Sequence, residues 1–227
     1  EFDYVDLTMA GLYTIGGTNP DFTSILSAVD DIVRFGISDS VIFEIREGTY
    51  IEQVSIEDIP GSSVSNYVVF RPENTDSVEM TYTPTSTDNY IVQFDGADYV
   101  TFQNMTFTAT GTSYGRVFDF KGESHYITID SSIINGISTT SISTNLSTIY
   151  SASSTENDHI TISNNEINNG SYGMYFYGMS TSNLEQANII SNNTIQDFHY
   201  YGMFLYYFDS LQLSSNEIYA KSSGGYS

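Results

Sequence analysis

The stretch HITISNNEI, residues 159–167, decides the fold because close variants of it recur along the chain. The variants are YVTFQNMTF (99–107), YITIDSSII (126–134), ANIISNNTI (187–195) and SLQLSSNEI (210–218). Their central apolar residues are Phe102, Ile129, Ile162, Ile190 and Leu213, which are 27, 33, 28 and 23 residues apart by subtraction. Repeats of this length are typical of stacked structural units.

Within each repeat the apolar residues alternate with polar ones, as Ile160 and Ile162 do, which is the period of a strand. A second strand-like phrase, such as YGMYFYG (172–178) or YGMFLYY (201–207), lies between successive repeats. A unit of this size is too short to hold the helix of an α/β crossover. The pattern therefore predicts an all-β fold, a right-handed parallel β-helix in which each coil adds one rung to every sheet.

Asparagine recurs at the polar corner that follows the repeated strand. Because stacked asparagine side chains can hydrogen-bond from rung to rung, Asn165, Asn193 and Asn216 are predicted to form a ladder.

The N-terminal part of the chain has a different pattern. Residues 21–36, DFTSILSAVDDIVRFG, have apolar positions at helical spacing, with Asp21 as the expected N-cap and Gly36 as the expected end. We expect this amphipathic helix to cover the open end of the core, and residues 41–45, 47–56 and 66–73 to form the first rungs. The whole chain, 1–227, is interpreted as one domain, with a cap and lead-in at 1–40 and coils at 41–227.

The ends of the sequence suggest a piece of a larger protein. The chain starts abruptly with Glu1 and Phe2, which we interpret as a cloning remnant, and it ends in KSSGGYS directly after a repeat.

The composition is strongly acidic, with 28 Asp and Glu against 6 Lys and Arg and a formal net charge of −22. Nucleic acids and anionic membranes are disfavoured as partners, because binding to either needs a basic surface. No apolar run reaches the ~20 residues that cross a bilayer. The acidity fits solubility in a saline exterior, and it also makes Ca²⁺ a possible cofactor, since Ca²⁺ prefers oxygen ligands. The sequence leaves the oligomeric state open.

The run DFTSILSAVDDI, followed by VIFEIREGTYIEQVSI, resembles the opening of the pectin-lyase-like superfamily. The resemblance is to the pectin methylesterases and to repeat-rich β-helix proteins secreted by Bacteroidetes. It implies the fold and a secreted or bacterial cell-surface location, but not an activity, because lyases, hydrolases, esterases and non-catalytic domains share this scaffold. The QDTL and DFIFG segments that supply the catalytic aspartates of pectin methylesterases have no counterpart in this sequence.

Residues 116–125, RVFDFKGESH, are the best catalytic candidates. If Phe118 and Phe120 point inward, Asp119 and Lys121 share the outer face with Arg116 nearby, and an acid and base pair becomes available. The competing interpretation is a solvated corner.

The last two coils are rich in aromatic residues. Aligning their Tyr-Gly pairs places Tyr175 and Tyr177 beside Phe204 and Tyr206 on one face. Exposed rings of this kind can stack on the C–H faces of sugars, so these four residues are the predicted carbohydrate-binding site. A slip of one residue would bury them all. The Ser- and Thr-rich residues 136–158 are predicted to form a coil with a protruding loop, with Thr148 to Tyr150 as its strand.

Three functions are compatible with these features. We favour a non-catalytic extracellular or cell-surface module that is adhesive or binds polysaccharide. The first alternative is a polysaccharide lyase or hydrolase whose active site is degenerate or lies partly outside this chain, and the second is a structural spacer.

Overall fold

Short parallel strands joined by tight corners make up most of the chain. A computed structural model describes residues 7–75, 77–152 and 155–221, so Glu1, Phe2 and the end of KSSGGYS lie outside the described residues. One α-helix, α1 (Ile25–Phe35), and one short 3₁₀ helix (Thr144–Leu146) are present in these ranges. The strands, in chain order, are β1 (Met9–Ile15), β2 (Ile37–Ile45), β3 (Gly48–Ile51), β4 (Val54–Glu57), β5 (Val68–Pro72), β6 (Val78–Tyr82), β7 (Val92–Asp95), β8 (Val100–Gln103), β9 (Thr106–Ala109), β10 (Phe118–Phe120), β11 (Thr128–Asp130), β12 (Ile133–Asn135), β13 (Ile149–Ser151), β14 (Thr161–Ser163), β15 (Glu166–Asn168), β16 (Tyr172–Tyr177), β17 (Glu185–Gln186), β18 (Ile189–Ser191), β19 (Thr194–Gln196), β20 (Tyr201–Tyr206), β21 (Phe208–Asp209), β22 (Gln212–Ser214) and β23 (Glu217–Tyr219).

Three parallel sheets run along the molecule. Among the described residues, sheet 1 has the order β1-β2-β5-β8-β11-β14-β18-β22, sheet 2 the order β3-β6-β9-β12-β15-β19-β23, and sheet 3 the order β4-β7-β10-β13-β16-β20. Each coil visits sheets 1, 2 and 3 in turn, and β17 pairs separately with β21. This is the predicted parallel β-helix, with about seven coils.

The sequence repeat is the strand register of sheet 1. Phe102 pairs with Ile129, Ile129 with Ile162, Ile162 with Ile190, and Ile190 with Leu213. The predicted alignment of the five repeats is therefore confirmed residue for residue. Further towards the N-terminus the same column continues through Phe43 and Phe70, and their rings stack 4.8 Å apart. The repeated apolar residue is buried in the core from Phe43 to Ile190, whereas Leu213 in the last described coil is 51% exposed.

The predicted asparagine ladder is also confirmed. Asn165 Nδ2 donates to Asn193 Oδ1, and Asn193 Nδ2 donates to Asn216 Oδ1, both at 3.0 Å. Each of these side chains also bonds to main-chain groups of neighbouring coils, as Asn193 Nδ2 does to the carbonyl of Ile162 at 2.8 Å. The left-handed turn itself is made by the preceding residue, for example Asn164 with φ 58°. Two adjacent positions thus have different roles: the first, such as Asn164, turns the chain, and the second, such as Asn165, forms the hydrogen bonds between rungs.

The N-terminal helix begins three residues later than predicted, so the proposed N-cap was wrong. Ser24 is the N-cap and accepts a hydrogen bond from Ser27 N at 3.0 Å. Asp21 instead accepts two hydrogen bonds from Thr14, from its main-chain N and its hydroxyl, each at 2.8 Å. These bonds lower the pKa of Asp21. Gly36 ends the helix with φ 71°, as predicted.

The helix lies against the first rung of the solenoid. Its buried face consists of Ile25, Ala28, Val29 and Ile32, and it contacts β1 and β4, the first strand of sheet 3. Glu52 accepts a hydrogen bond from Leu26 N at 2.8 Å, so a carboxylate from the first coil stabilises the positive end of the helix. The predicted helical cap is therefore present. No helix in the described ranges is long and apolar enough to cross a membrane.

Glycine follows tyrosine in the strands of sheet 3 because a side chain has no room there. A Cβ at Gly173 would lie 2.4 Å from Ile195 Cγ2, and a Cβ at Gly202 would lie 2.5 Å from Ile218 Cγ2. The recurring Tyr-Gly pair thus brings sheet 3 close to sheet 2.

Candidate functional site

One column of side chains runs along the outer face of sheet 3. Strand register places one residue from each successive coil in this column: Ser55, Gln93, Asp119, Tyr150, Tyr175 and Phe204. We call it the sheet 3 column. Its first half is polar and its second half aromatic. The predicted catalytic cluster and the predicted ring cluster are therefore parts of one continuous surface.

Hydrogen bonds connect the polar half of the column. Ser55 Oγ donates to Gln93 Oε1 at 3.2 Å, and Gln93 Nε2 donates to Asp119 Oδ2 at 2.7 Å. The other carboxylate oxygen, Asp119 Oδ1, accepts from Arg116 Nη1 at 2.9 Å. Asp119 is only 6% exposed, and this burial raises its pKa although Arg116 and Gln93 act in the opposite direction. Both oxygens are engaged, so the carboxylate holds Arg116 in place.

Arg116 joins the polar half to the aromatic half. Its guanidinium carbon lies 3.3 Å from the centre of the Tyr150 ring, which is a cation–π contact. Its Nε donates to the carbonyl of Thr144 at 3.3 Å, and its main-chain N donates to Asn89 Oδ1 at 3.2 Å. The side chain is therefore fixed from three directions.

A pocket of about 320 Å³ opens over this polar half. Its floor is the outer face of sheet 3, and its walls come from the connections at 83–91, 110–117 and 136–148. The last of these is part of the predicted Ser- and Thr-rich loop, whose Asn145 carbonyl accepts hydrogen bonds from Gly115 N and Asn89 Nδ2. The lining residues are Ser86, Thr87, Asp88, Asn89, Tyr90, Gln93, Tyr114, Arg116, Asp119, Phe120, Lys121, Asn145, Tyr150 and Ala152.

Lys121 shares the outer face with Asp119, as the alternation predicted. Its Nζ lies 2.8 Å from Asp95 Oδ2, and its side chain is 61% exposed. Phe118 precedes Asp119, and Phe120 lies between Asp119 and Lys121. Both are buried in the core. The structure thus brings Arg116, Asp119 and Lys121 together in one pocket, but each charged group already has a partner of opposite charge.

The rings of the aromatic half stack on one another along the solenoid. Tyr150 and Tyr175 have centroids 5.3 Å apart and planes inclined by 9°, and Tyr175 and Phe204 are 5.0 Å apart at 8°. Near-parallel rings at these separations overlap face to face. Most ring faces are therefore covered by the neighbouring coil, and edges and hydroxyl groups are what remain for a ligand.

The two outward rings of β20 also contact each other. Phe204 and Tyr206 lie 6.3 Å apart with planes inclined by 19°. Tyr206 contacts Tyr177 at 5.1 Å and Tyr207 at 4.3 Å. At 46% exposed, Tyr206 is the most exposed of the four rings that the sequence predicted as a binding site.

The strand parity assumed for the rings is the one observed. Tyr175 pairs with Phe204 and Tyr177 with Tyr206 on the outer face. The alternating residues face the core: Met174 and Phe176 are buried, and Met203 and Leu205 pack against the core. Sequence reasoning did not include Tyr150, Gln93 or Asn145 in the site. The signal that could have identified Tyr150 is the alternation in residues 149–151, IYS, where the apolar Ile149 faces inward and Tyr150 faces outward.

Ca²⁺ binding finds no direct support in the side-chain arrangement. Within residues 7–75, 77–152 and 155–221, no group of three or more His, Asp or Glu side chains is placed to hold a metal ion. Ca²⁺ stays a prediction from the composition.

Comparison with known proteins gives only distant similarities. No family model matches the chain, and no curated protein matches it. Among solved structures, the Dettilon tailspike protein is similar with 11% sequence identity and a TM-score of 0.40, over 86% of this chain and 42% of that one. Pectin methylesterase from Aspergillus niger is similar with 14% identity and a TM-score of 0.34, over 93% of this chain and 87% of that one. The chain thus spans less than half of the tailspike.

At these identities and scores the similarities carry no functional argument, and the assignment as a parallel β-helix depends on the strand registers above. This fold is the one that the resemblance to the pectin-lyase-like superfamily implied.

Proposed function

We propose that this chain is a non-catalytic extracellular or cell-surface module that binds polysaccharide along the outer face of sheet 3. The observation that carries the proposal is the continuity of the sheet 3 column, which joins a polar pocket to a strip of rings. The acidic composition and the superfamily resemblance support a secreted or bacterial surface location.

Carbohydrate fits this surface because a sugar presents apolar C–H faces beside hydroxyl groups. The exposed ring of Tyr206, beside Phe204, supplies a stacking surface, and the pocket supplies amide, hydroxyl and charged hydrogen-bonding groups. Strands of a sheet are about 4.8 Å apart, so the six strands of sheet 3 extend over roughly 24 Å. A surface of that length suits a chain of sugars better than a single sugar.

Binding is favoured over catalysis by the state of the charged side chains. Asp119 accepts hydrogen bonds on both oxygens, and Lys121 is paired with Asp95. Neither is positioned as a free acid or base towards a ligand. A lyase or hydrolase would release unsaturated or reducing sugar from an acidic polysaccharide, and Asp119→Asn or Lys121→Ala would then abolish the release.

A glycan array tests the proposal. We expect binding that weakens about fivefold for Tyr177→Ala and for Tyr206→Ala, because one ring contact contributes roughly 1 kcal/mol. Tyr219→Ala is the matched control, since Tyr219 is an exposed tyrosine of similar exposure on sheet 2. A folded protein that binds no glycan and releases no sugar would contradict the proposal and leave the spacer function.

A further inference from the structure

The charge of the sheet 3 face limits what kind of glycan it can bind. Two cations, Arg116 and Lys121, lie in the pocket, and each already forms an ion pair, Arg116 with Asp119 at 2.9 Å and Lys121 with Asp95 at 2.8 Å. A third carboxylate, Asp88, also lines the pocket. The pocket lining therefore carries two carboxylates, Asp88 and Asp119, against two cations, and Lys121 is also paired with Asp95. No positive charge is left over for a carboxylate or sulfate of a ligand.

The rest of the molecule adds to this effect. The chain carries 28 acidic against 6 basic residues, so its field repels a polyanion at every approach to sheet 3. An anionic sugar that entered the pocket would also have to displace a carboxylate from Arg116 or Lys121. Displacing Asp119 is especially unfavourable because a buried carboxylate would lose its partner.

We propose that the ligand of sheet 3 is an uncharged oligosaccharide, with one sugar in the pocket and the following sugars lying along the rings towards Phe204 and Tyr206. The inference depends on the proposed function and specifies its substrate class. From the pocket at β10 to the rings at β20 there are three strand spacings, about 14 Å, so a single sugar cannot reach both.

The pocket can hold the hydroxyl groups of such a sugar through neutral side chains. Asn145, Tyr90 and Tyr114 line it and offer amide and phenol groups that both donate and accept. Asn145 is the most useful residue to change, because the hydrogen bonds that it accepts from Gly115 and Asn89 use its main-chain carbonyl and persist in Asn145→Ala.

The test is isothermal titration calorimetry in EDTA, at low and at high salt, with two sets of hexasaccharides. The neutral set is cellohexaose, laminarihexaose, mannohexaose and xylohexaose, and the acidic set is hexagalacturonate and hexaguluronate. We expect at least one neutral probe to bind with an affinity that salt hardly changes, because no ion pair forms. Asn145→Ala should weaken this binding about fivefold, the loss of one hydrogen bond, and Tyr206→Ala by a similar factor. Tyr219→Ala should bind like the unchanged protein.

The outcomes separate this inference from the proposed function. Binding of acidic probes alone would overturn the inference and leave polysaccharide binding in place. Neutral binding that Asn145→Ala does not weaken would overturn the assignment of the pocket. Failure of every probe in both sets to bind would overturn both proposals.

Discussion

A buried carboxyl group at one corner of the solenoid makes stability depend on pH in a predictable direction. The side chain of Glu185, in β17, is 0% exposed. Its Oε2 accepts a hydrogen bond from Asn188 Nδ2 at 3.3 Å, whereas its Oε1 is buried and has no hydrogen-bond partner among the described residues. Burial, together with the nearby carboxylates of Asp158 and Glu156, raises the pKa of Glu185 to about 8 from an ordinary value of 4.5.

The sign of the effect follows from proton binding. Between pH 4.5 and about 8 the folded chain keeps a proton on Glu185 that the unfolded chain has lost. Stability is therefore fully present below pH 4.5 and falls as the pH rises towards 8, by about 1.4 kcal/mol per pH unit and at most roughly 5 kcal/mol in total. Glu185→Gln removes the titration while keeping the shape of the side chain. Its free energy of unfolding should match the unchanged protein near pH 5 and exceed it by several kcal/mol near pH 8.

Urea unfolding across this pH range measures the difference. Glu47→Gln is the matched control, because Glu47 is exposed, and its curve should follow that of the unchanged protein. Unfolding free energies of Glu185→Gln and the unchanged protein that run parallel from pH 5 to 8 would refute the reasoning. A variant less stable than the unchanged protein near pH 8 would do the same.

Two further predictions concern stability. Asn193→Ala should destabilise the fold by on the order of 3–5 kcal/mol in urea unfolding, because its four hydrogen bonds are lost and buried partners such as the Ile162 carbonyl are left unpaired. Asn183→Ala, at an exposed asparagine, should change little, and an equal loss in both variants would contradict the ladder's contribution. Predicted Ca²⁺ binding implies a higher melting temperature in CaCl₂ than in EDTA, and identical melting curves would exclude it.

The repeat could be predicted because one residue of each rung must face the core. Ile129, Ile162 and Ile190 are buried by geometry that every coil shares, so local alternation and constant spacing suffice to find their register. The helix start could not be placed in this way. Asp21 is an ordinary N-cap by residue type, but Thr14 in β1 engages it, and that contact lies outside the local pattern.

The site was only partly predictable for a related reason. The rings of β16 and β20 align by their Tyr-Gly pairs, whereas Tyr150 lies at the end of the Ser- and Thr-rich insertion, where spacing gives no clear register. The walls of the pocket depend on contacts between distant segments, such as Asn89 with Asn145 at 2.9 Å. The stacking of ring faces between coils also cannot be read from one coil's sequence, and it leaves mainly ring edges and hydroxyl groups exposed along the column.

The outward columns of the three sheets differ, and this difference supports sheet 3 as the proposed binding surface. Because the core constrains the inward residues, sequence differences between coils are concentrated on the outer faces. Sheet 1 presents the polar column Gln103, Asp130, Ser163, Ser191 and Ser214. Sheet 2 presents the mixed column Thr106, Ile133, Glu166, Thr194 and Glu217. Sheet 3 alone among these columns changes from a hydrogen-bonded polar half to stacked rings, with Arg116 joining the two halves over Tyr150. Asparagine ladders and apolar stacks already hold the rungs together, so this transition is not needed for stability alone, and it supports the proposed ligand-binding role of sheet 3.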